Sequence, residues 1–549
     1  MRTSPDSAAE GSAHVSARGA RVFTVPAGRP FLAAVAAAIL DGNLPSGGGV
    51  APDPLALPDI TLLLPTRRAT RVMQEAFLNV AGEGAMTLPQ IRPISAGDED
   101  LSLLAGLASP GTLGSDSLDL PPAVSEIERR LVLTMLVQHW SRAIRKDDSG
   151  AAHLGDDAAA AGANTPAQAA HLASELARLM DMVETENVPL DGLASLVPDD
   201  YSAHWQDTLK FLEIITAFWP AYLEEKRLLS PATRRNRAIL AEAERLTKSP
   251  PAGPVIVAGV TGSVPATVEL MRAVACLPQG ALVLPGLDLH LDEESWSAIA
   301  AHPEHPQFGF YKLLSELGLT RADVNVLHGA ELAPKQVARE KLIAETMRPA
   351  GKTGRWQHYI RATDKSEVRG ALDGISLIEA PSAQDEAEAV ALILREAAET
   401  PGRTAALVSP DRLLARRVGV RLEAWGIRVD DSAGRPFAKT PPGTLLDLVI
   451  SAVAEDFAPA AVMALLKHPL TRVGLDAFAV RRAGRAVEIA AFRTIYLGRG
   501  LDGVAAALVR AEEDVAEKRR RQTAVKRLWP DDWTGAHDLV ARLSAAYAP

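Results

Sequence analysis

The chain has 549 residues, 47% of them hydrophobic, enough for about two to four domains with substantial cores. Its formal net charge of −10 excludes an overall electrostatic grip on DNA or on an anionic membrane, and leaves room only for a local basic channel. The lone cysteine, Cys276, excludes an intrachain disulfide framework and any cysteine-rich zinc or iron–sulfur site within this chain, and fits a reducing cytoplasm.

The first twenty residues are small and polar, without the apolar run of a signal peptide, and read as a disordered tail. Arg21–Val25 (RVFTV) reads as a short strand, followed by Pro26-Ala27-Gly28-Arg29-Pro30 and an Ala/Leu helix from about Phe31 to Leu40. That helix falls well short of the roughly 20 apolar residues a membrane span needs, so no membrane segment is expected. A Gly/Pro/Asp loop over Asp41–Pro58 leads to a second strand, Ile60–Leu64, the turn Pro65-Thr66-Arg67-Arg68, and a helix to about Asn79. Two successive strand–turn–helix units are the pattern of a parallel α/β sheet.

From Pro121 the periodicity becomes helical, over Ile127–Trp140, Ala167–Glu184 and His204–Lys226, with a flexible Asp/Ala/Gly loop expected over Lys146–Pro166. In the third helix Trp205, Leu209, Leu212, Ile215, Trp219 and Tyr222 form one apolar face. The sheet pattern resumes at Val255–Val257. The stretch VIVAGVTGSVPATVELMRAVA reads as a buried strand, a turn through Gly259 and Gly262, and a helix capped by Ser263 with Pro265 in its first turn. Ala281–Leu284 is the next strand, and a mixed region runs to about Gly370. Ile375–Glu379 and Thr404–Val408 read as strands of a second α/β block, followed by helices over Asp385–Glu399 and Asp411–Trp425. Leu445–Pro549 is mostly helical. Two α/β blocks, each with a helical excursion, are the plan of a two-lobed helicase.

The chemistry of such a motor is missing. A phosphate-binding loop needs G-x-x-x-x-G-K-[ST], whereas the turn after the first strand has one glycine, no lysine or hydroxyl, and two prolines that remove amides. The strand Val255–Val257 ends in Ala258-Gly259, with no carboxylate to hold Mg²⁺. Ala350-Gly351-Lys352-Thr353 is a chance match, because Thr346 stands where the first glycine belongs and a helix precedes it. The acidic run Asp288, Asp292, Glu293 and Glu294 reads as a solvated helix start, and His290, His302 and His305 as loop packing, so no metal site is expected. No G-x-S-x-G serine elbow is present. Arg67, Arg68 and Arg71 remain, with Thr66, at a strand C-terminus and a helix N-terminus, where phosphate backbone can be gripped. Lys518–Arg521, with Lys526 and Arg527, follows the acids Glu512–Asp514 and reads as the solvated end of one long helix.

The segments VFTVPAGRPF, LPDITLLLPTRRA, HWQDTLKFLEIITAFWP, PPAGPVIVAGVTGSVPAT and LPQGALVLPGLDLHLDEESW, in that order, resemble the AddB family of alphaproteobacteria. The similarity extends through SLIEAPSAQDEAEAVALILREA and TAALVSPDRLLARRVGVRLEAWGI. The resemblance implies an α/β fold of two RecA-like parallel-sheet lobes, of the superfamily 1 helicase-like type, each with a helical insertion. The corresponding division is a tail over 1–20, a first lobe over 21–120 and 251–370 with its insertion at 121–250, and a second lobe beginning at 371–444. An incomplete helical insertion follows at 445–549. Ala27, Gly28 and Arg29 would be a degenerate, inactive nucleotide loop, and Thr66, Arg67, Arg68 and Arg71 a DNA contact like helicase motif Ia. The implied role is a cytoplasmic, inactivated helicase-like scaffold that guides DNA beside the AddA subunit of a helicase–nuclease, in double-strand break repair by homologous recombination. Its partners would be AddA and single- and double-stranded DNA ends, with no membrane. ATP and Mg²⁺ would be used by AddA. The family's C-terminal nuclease domain, with its Mg²⁺ and iron–sulfur sites, is not in this sequence, so a truncated member is expected.

Overall fold

A computed structural model describes residues 19–45, 47–82, 86–94, 120–148, 165–190, 208–209, 211–434, 436–493, 495–519 and 522–547. The expected tail, most of the loop over 146–166, and Trp205 lie outside these residues. The chain divides into two compact units, Met1–Ile375 and Ser376–Pro549.

The first unit is built on one all-parallel sheet. Its elements are β1 (Val22–Val25), α1 (Phe31–Leu40), β2 (Thr61–Leu64), α2 (Arg67–Ala81) and β3 (Gln90–Pro93), then α3 (Glu126–Asp148), α4 (Pro166–Thr185), α5 (Trp219–Lys226) and α6 (Pro231–Lys248). After these come β4 (Val255–Ala258), α7 (Pro265–Ala275), β5 (Gly280–Pro285), α8 (Glu293–Ala298), α9 (Phe308–Leu317) and β6 (Asn325–Val326). Three helices close the unit: α10 (Pro334–Thr346), α11 (Trp356–Ala362) and α12 (Lys365–Ala371). The strand order is β3-β2-β4-β5-β1-β6, with Thr61 beside Val255, Val255 beside Gly280, and Val22 beside Leu282.

Alternation along the strands explains why both faces are apolar. Val22, Leu63, Val257, Leu282 and Leu284 enter one core with Leu246 of α6, Met271 and Val274 of α7, and Phe310 and Leu313 of α9. Val25, Leu62, Leu64, Ile256 and Val283 enter the other with Val35 and Ile39 of α1 and Met73 and Phe77 of α2. Helices α3 to α6 leave the sheet after β3 and return before β4. Their own core holds Leu133, Val137, Leu176, Ile215 and Trp219. Two strands, β3 (QIRP) and β6 (NV), were not expected from the sequence. Ser263 does not cap α7; the N-cap is Val264, which has no hydroxyl. Gly262 is required in the turn before it: its φ is +66°, and a Cβ there would come within 2.9 Å of Leu313.

In the second unit the expected strands do not form. Residues 375–380 and 403–409 run without strand pairing, and no strand occurs among the unit's described residues. An extended segment becomes a strand only when a neighbour takes its backbone groups. Leu377 is 87% exposed and Val408 is 94% exposed, while Leu407 packs on the helices at either side of its segment. Instead α13 (Ala383–Glu399) packs on α14 (Arg412–Ala424) through Ala387, Ala391, Leu414, Val418 and Leu422. Arg395 and Arg421 both lie over the ring of Trp425, at 4.9 and 4.6 Å. The remaining helices, from Pro441 to Ala546, bury three further apolar clusters, around Val487, Leu508 and Ala536, around Val462, Leu539 and Leu543, and around Ala452, Ala461 and Leu465. The long helix expected through Lys518–Arg521 stops at Ala516. Lys518 adopts a left-handed φ of 55°, and Arg519 turns back to pair with Asp514 and Glu517. Arg520 and Arg521 lie outside the described residues.

Candidate strand-edge site

In a parallel sheet all strand C-termini open on one edge, and the loops that follow them meet there. Gly286, after β5, stands so close to the β1 loop that a Cβ on it would lie 3.5 Å from the Cβ of Ala27. Gly259, after β4, faces Phe31 at the start of α1 and Pro65 after β2, at 3.2 and 3.6 Å by the same measure. Four loops therefore converge where an α/β motor would hold its nucleotide.

The geometry of Ala27-Gly28-Arg29 is that of a closed turn. The Arg29 amide donates to the Pro26 carbonyl at 3.0 Å, and the Arg29 guanidinium donates to the Gly329 carbonyl at 2.9 Å. Leu332 stands 3.2 Å from where a Gly28 Cβ would be, and the Gln336 amide of α10 donates to the Gly28 carbonyl at 3.3 Å. Leu332 and Gln336 thus flank one side of the glycine, while Ala27, Gly28 and Arg29 themselves stay exposed.

On the same edge, Thr66 ends β2 and caps α2, its hydroxyl oxygen accepting the Ala69 amide at 3.1 Å. Thr70 donates to the Arg67 carbonyl at 2.7 Å and tightens the turn. Thr66, Arg67, Arg68 and Arg71 are all exposed. Arg71 lies four positions from Arg67 and three from Arg68, so it adjoins both along the helix surface. No acidic residue lies in that first turn. The structure thus brings together all the expected DNA-contact residues and gives Thr66 a capping role.

The other motifs resolve into one ion-pair network. Asp292 caps α8 by accepting the Ser295 amide at 3.0 Å, and it pairs with buried Arg348 and, at 3.4 Å, with Arg355. Glu294 pairs with Arg355 and with Lys352 at 2.6 Å; Glu293 pairs with Arg321, whose guanidinium lies over Trp296 at 4.7 Å. Of the acidic run, Asp292 and Glu294 are therefore partnered by cations of the Ala350–Arg355 turn, which is a short 3₁₀ helix, while the Asp288 carboxylate accepts the His290 and Leu291 amides. Burial alone would raise the pKa of Asp292, but hydrogen bonds from Arg348 and Ser295 outweigh it and hold the carboxyl at about 2. His302 pairs with Glu304, while His305 bonds the Met347 carbonyl at 2.7 Å. Among the described residues no group of three or more His, Cys, Asp or Glu is gathered for a metal. Also among them, no helix is long and apolar enough to cross a membrane.

Sequence reasoning missed Leu332 and Gln336, which lie some three hundred positions from the glycine they cover. No local signal announces such a contact. Compared with models of known protein families and with curated proteins, the chain matches none.

Proposed function

We propose that this chain is a DNA-engaging, non-hydrolysing subunit of the AddB kind. It would work beside an AddA subunit in a helicase–nuclease that processes DNA ends for double-strand break repair by homologous recombination. One observation carries the reading. At the C-terminal edge of one sheet the turn after β1 carries no lysine or hydroxyl for a phosphate and is flanked by Leu332 and Gln336, while an exposed arginine turn follows β2, with β4 and β5 between them. In this reading the sheet is the first RecA-like lobe and the segments at 375–379 and 404–408 belong to a second, whose strands need neighbours to form. ATP and Mg²⁺ serve AddA, and this chain takes the phosphate backbone of a single strand through Arg67, Arg68 and Arg71.

The test is binding of a labelled single strand across a salt series. Replacing Arg67 and Arg68 with Ala should weaken binding and lower the salt slope by about 0.7 for each lost contact. An unchanged slope would remove the DNA assignment from this turn. A second reading, a scaffold that touches only AddA, is favoured by the exposed apolar side chains Ile495 and Leu497 of the second unit, at 91% and 90%. Binding of AddA without binding of a single strand would select it.

A further inference from the structure

Helices α10, α11 and α12 line an open cavity of about 620 Å³ within the first unit, in the size range of ligand sites. It lies at the far end of the helix that covers Gly28: α10 begins against the nucleotide loop, and Leu342, Glu345 and Thr346 of its last turns form one wall. The opposite wall carries Trp356, Tyr359 and Ile360 of α11, and the rim carries Lys365 and Arg369 of α12.

Three features identify an occupant. The first is a fixed ring: Trp356 donates its indole N–H to the Glu345 carbonyl at 2.7 Å, which holds the ring plane, yet the residue is 42% exposed. The second is exposed apolar surface beside it, with Ile360 at 73%. The third is charge. Between Lys352 and Arg369 there are five Lys/Arg and two Asp/Glu, and with Lys352 and Arg355 paired outside the stretch, Arg361, Lys365 and Arg369 remain against Asp364 and Glu367. Lys352 and Arg355 are spent on Glu294, whereas Lys365 and Arg369 are exposed one turn apart at the cavity rim. The one carboxylate in the lining, Glu345, is held by Arg348. A flat apolar ring flanked by cations is complementary to a polyanion that carries flat apolar rings.

We propose that the cavity between α10, α11 and α12 is a base-stacking site for single-stranded nucleic acid, with Trp356 as the platform and Lys365 and Arg369 on the flanking phosphates. It rests on the reading of the chain as DNA-engaging and adds a second contact to the arginine turn of α2. The lining offers faces and no base-edge code, so recognition is independent of sequence. An acidic amphipathic helix matches the charge but makes no use of a held ring.

The experiment is fluorescence anisotropy of the full chain with a short fluorescein-labelled oligothymidylate across a salt series. Trp356→Ala should weaken binding about tenfold or more with the salt slope retained, and Trp356→Phe should restore most of it. Lys365→Ala with Arg369→Ala, both exposed and harmless to the fold, should lower the slope by about 1.4. If these variants bind like the unmodified chain while Arg67→Ala with Arg68→Ala binds weakly, the cavity is not a DNA site and the functional reading stands. If only the cavity variants matter, the arginine turn is the part that falls. If the unmodified chain binds no oligothymidylate, both fall. Displacement by polyglutamate as effective as by unlabelled oligothymidylate, and indifferent to Trp356, would show an acidic protein segment as the occupant and overturn the proposal.

Discussion

Val255–Ala258 and Thr404–Val408 are nearly interchangeable as text. Each is a short apolar run that follows a Gly/Pro turn and precedes a helix. In the structure they have opposite fates. Val255–Ala258 is bonded on both sides, to β2 and β5, and no residue in it is more than 2% exposed. Thr404–Val408 has no paired neighbour, and Val408 is 94% exposed. A parallel strand is thus a relation between segments. Apolar β-branched residues make a segment available for pairing, and the chain decides elsewhere whether partners arrive.

Ile256 is fully buried between the sheet and the helices α1 and α2, so Ile256→Ala should cost about 2–5 kcal/mol of first-unit stability by chemical denaturation. A cost below about 1 kcal/mol would mean that β4 is no better packed than the segment at 404–408. Arg348 anchors the other end of the unit, buried against Asp292 and Glu345. Arg348→Ala should cost about 2–3 kcal/mol, less than a fully buried pair because Asp292 reaches water. Thermal unfolding of the variant, followed by tryptophan fluorescence, reads this directly.

A pH series sharpens the same point. The carboxyl of Asp292 lies at about 2 in the folded chain against 3.8 in its absence, so its folded pKa is depressed. Its contribution is therefore complete above about pH 4 and is lost as pH falls through about 2. The loss amounts to about 1–2 kcal/mol after allowance for solvent access. Asp292→Asn should flatten that part of the stability profile; a profile unchanged between the two proteins would contradict the pairing with Arg348. The smallest effect belongs to the unpaired segments. Leu377→Ala and Val408→Ala should each change stability by less than about 0.5 kcal/mol, and amides at 375–380 and 403–409 should exchange with solvent while those of β4 stay protected. Protection there equal to that of β4 would show paired strands.

Four strands of the sheet were legible because each carries a run of Val, Leu or Ile that only burial satisfies. The polar β3 and the two-residue β6 were not, since both are edge strands whose pairing is set by β2 and β1. The arginine turn was legible for the same local reason as the strands: Thr66 and its arginines follow directly on β2. The side chains that flank Gly28 were hidden, because the glycine meets Leu332 and Gln336 only through the fold. The acidic run and the cations of Ala350–Arg355 were each visible, but their pairing across some sixty positions was not. Trp356 and its flanking cations were likewise visible as residues, while the cavity they line needs three short helices to exist.

In the proposed function this sheet edge grips a nucleic-acid strand and binds no nucleotide. The most direct measurement is equilibrium binding of Mg·ATP and of a labelled single strand to the same preparation of the full chain. Salt-sensitive binding of the strand, with no saturable binding of Mg·ATP, is the expected result. Stoichiometric Mg·ATP binding that is lost when Gly28 or Arg29 is replaced would contradict it.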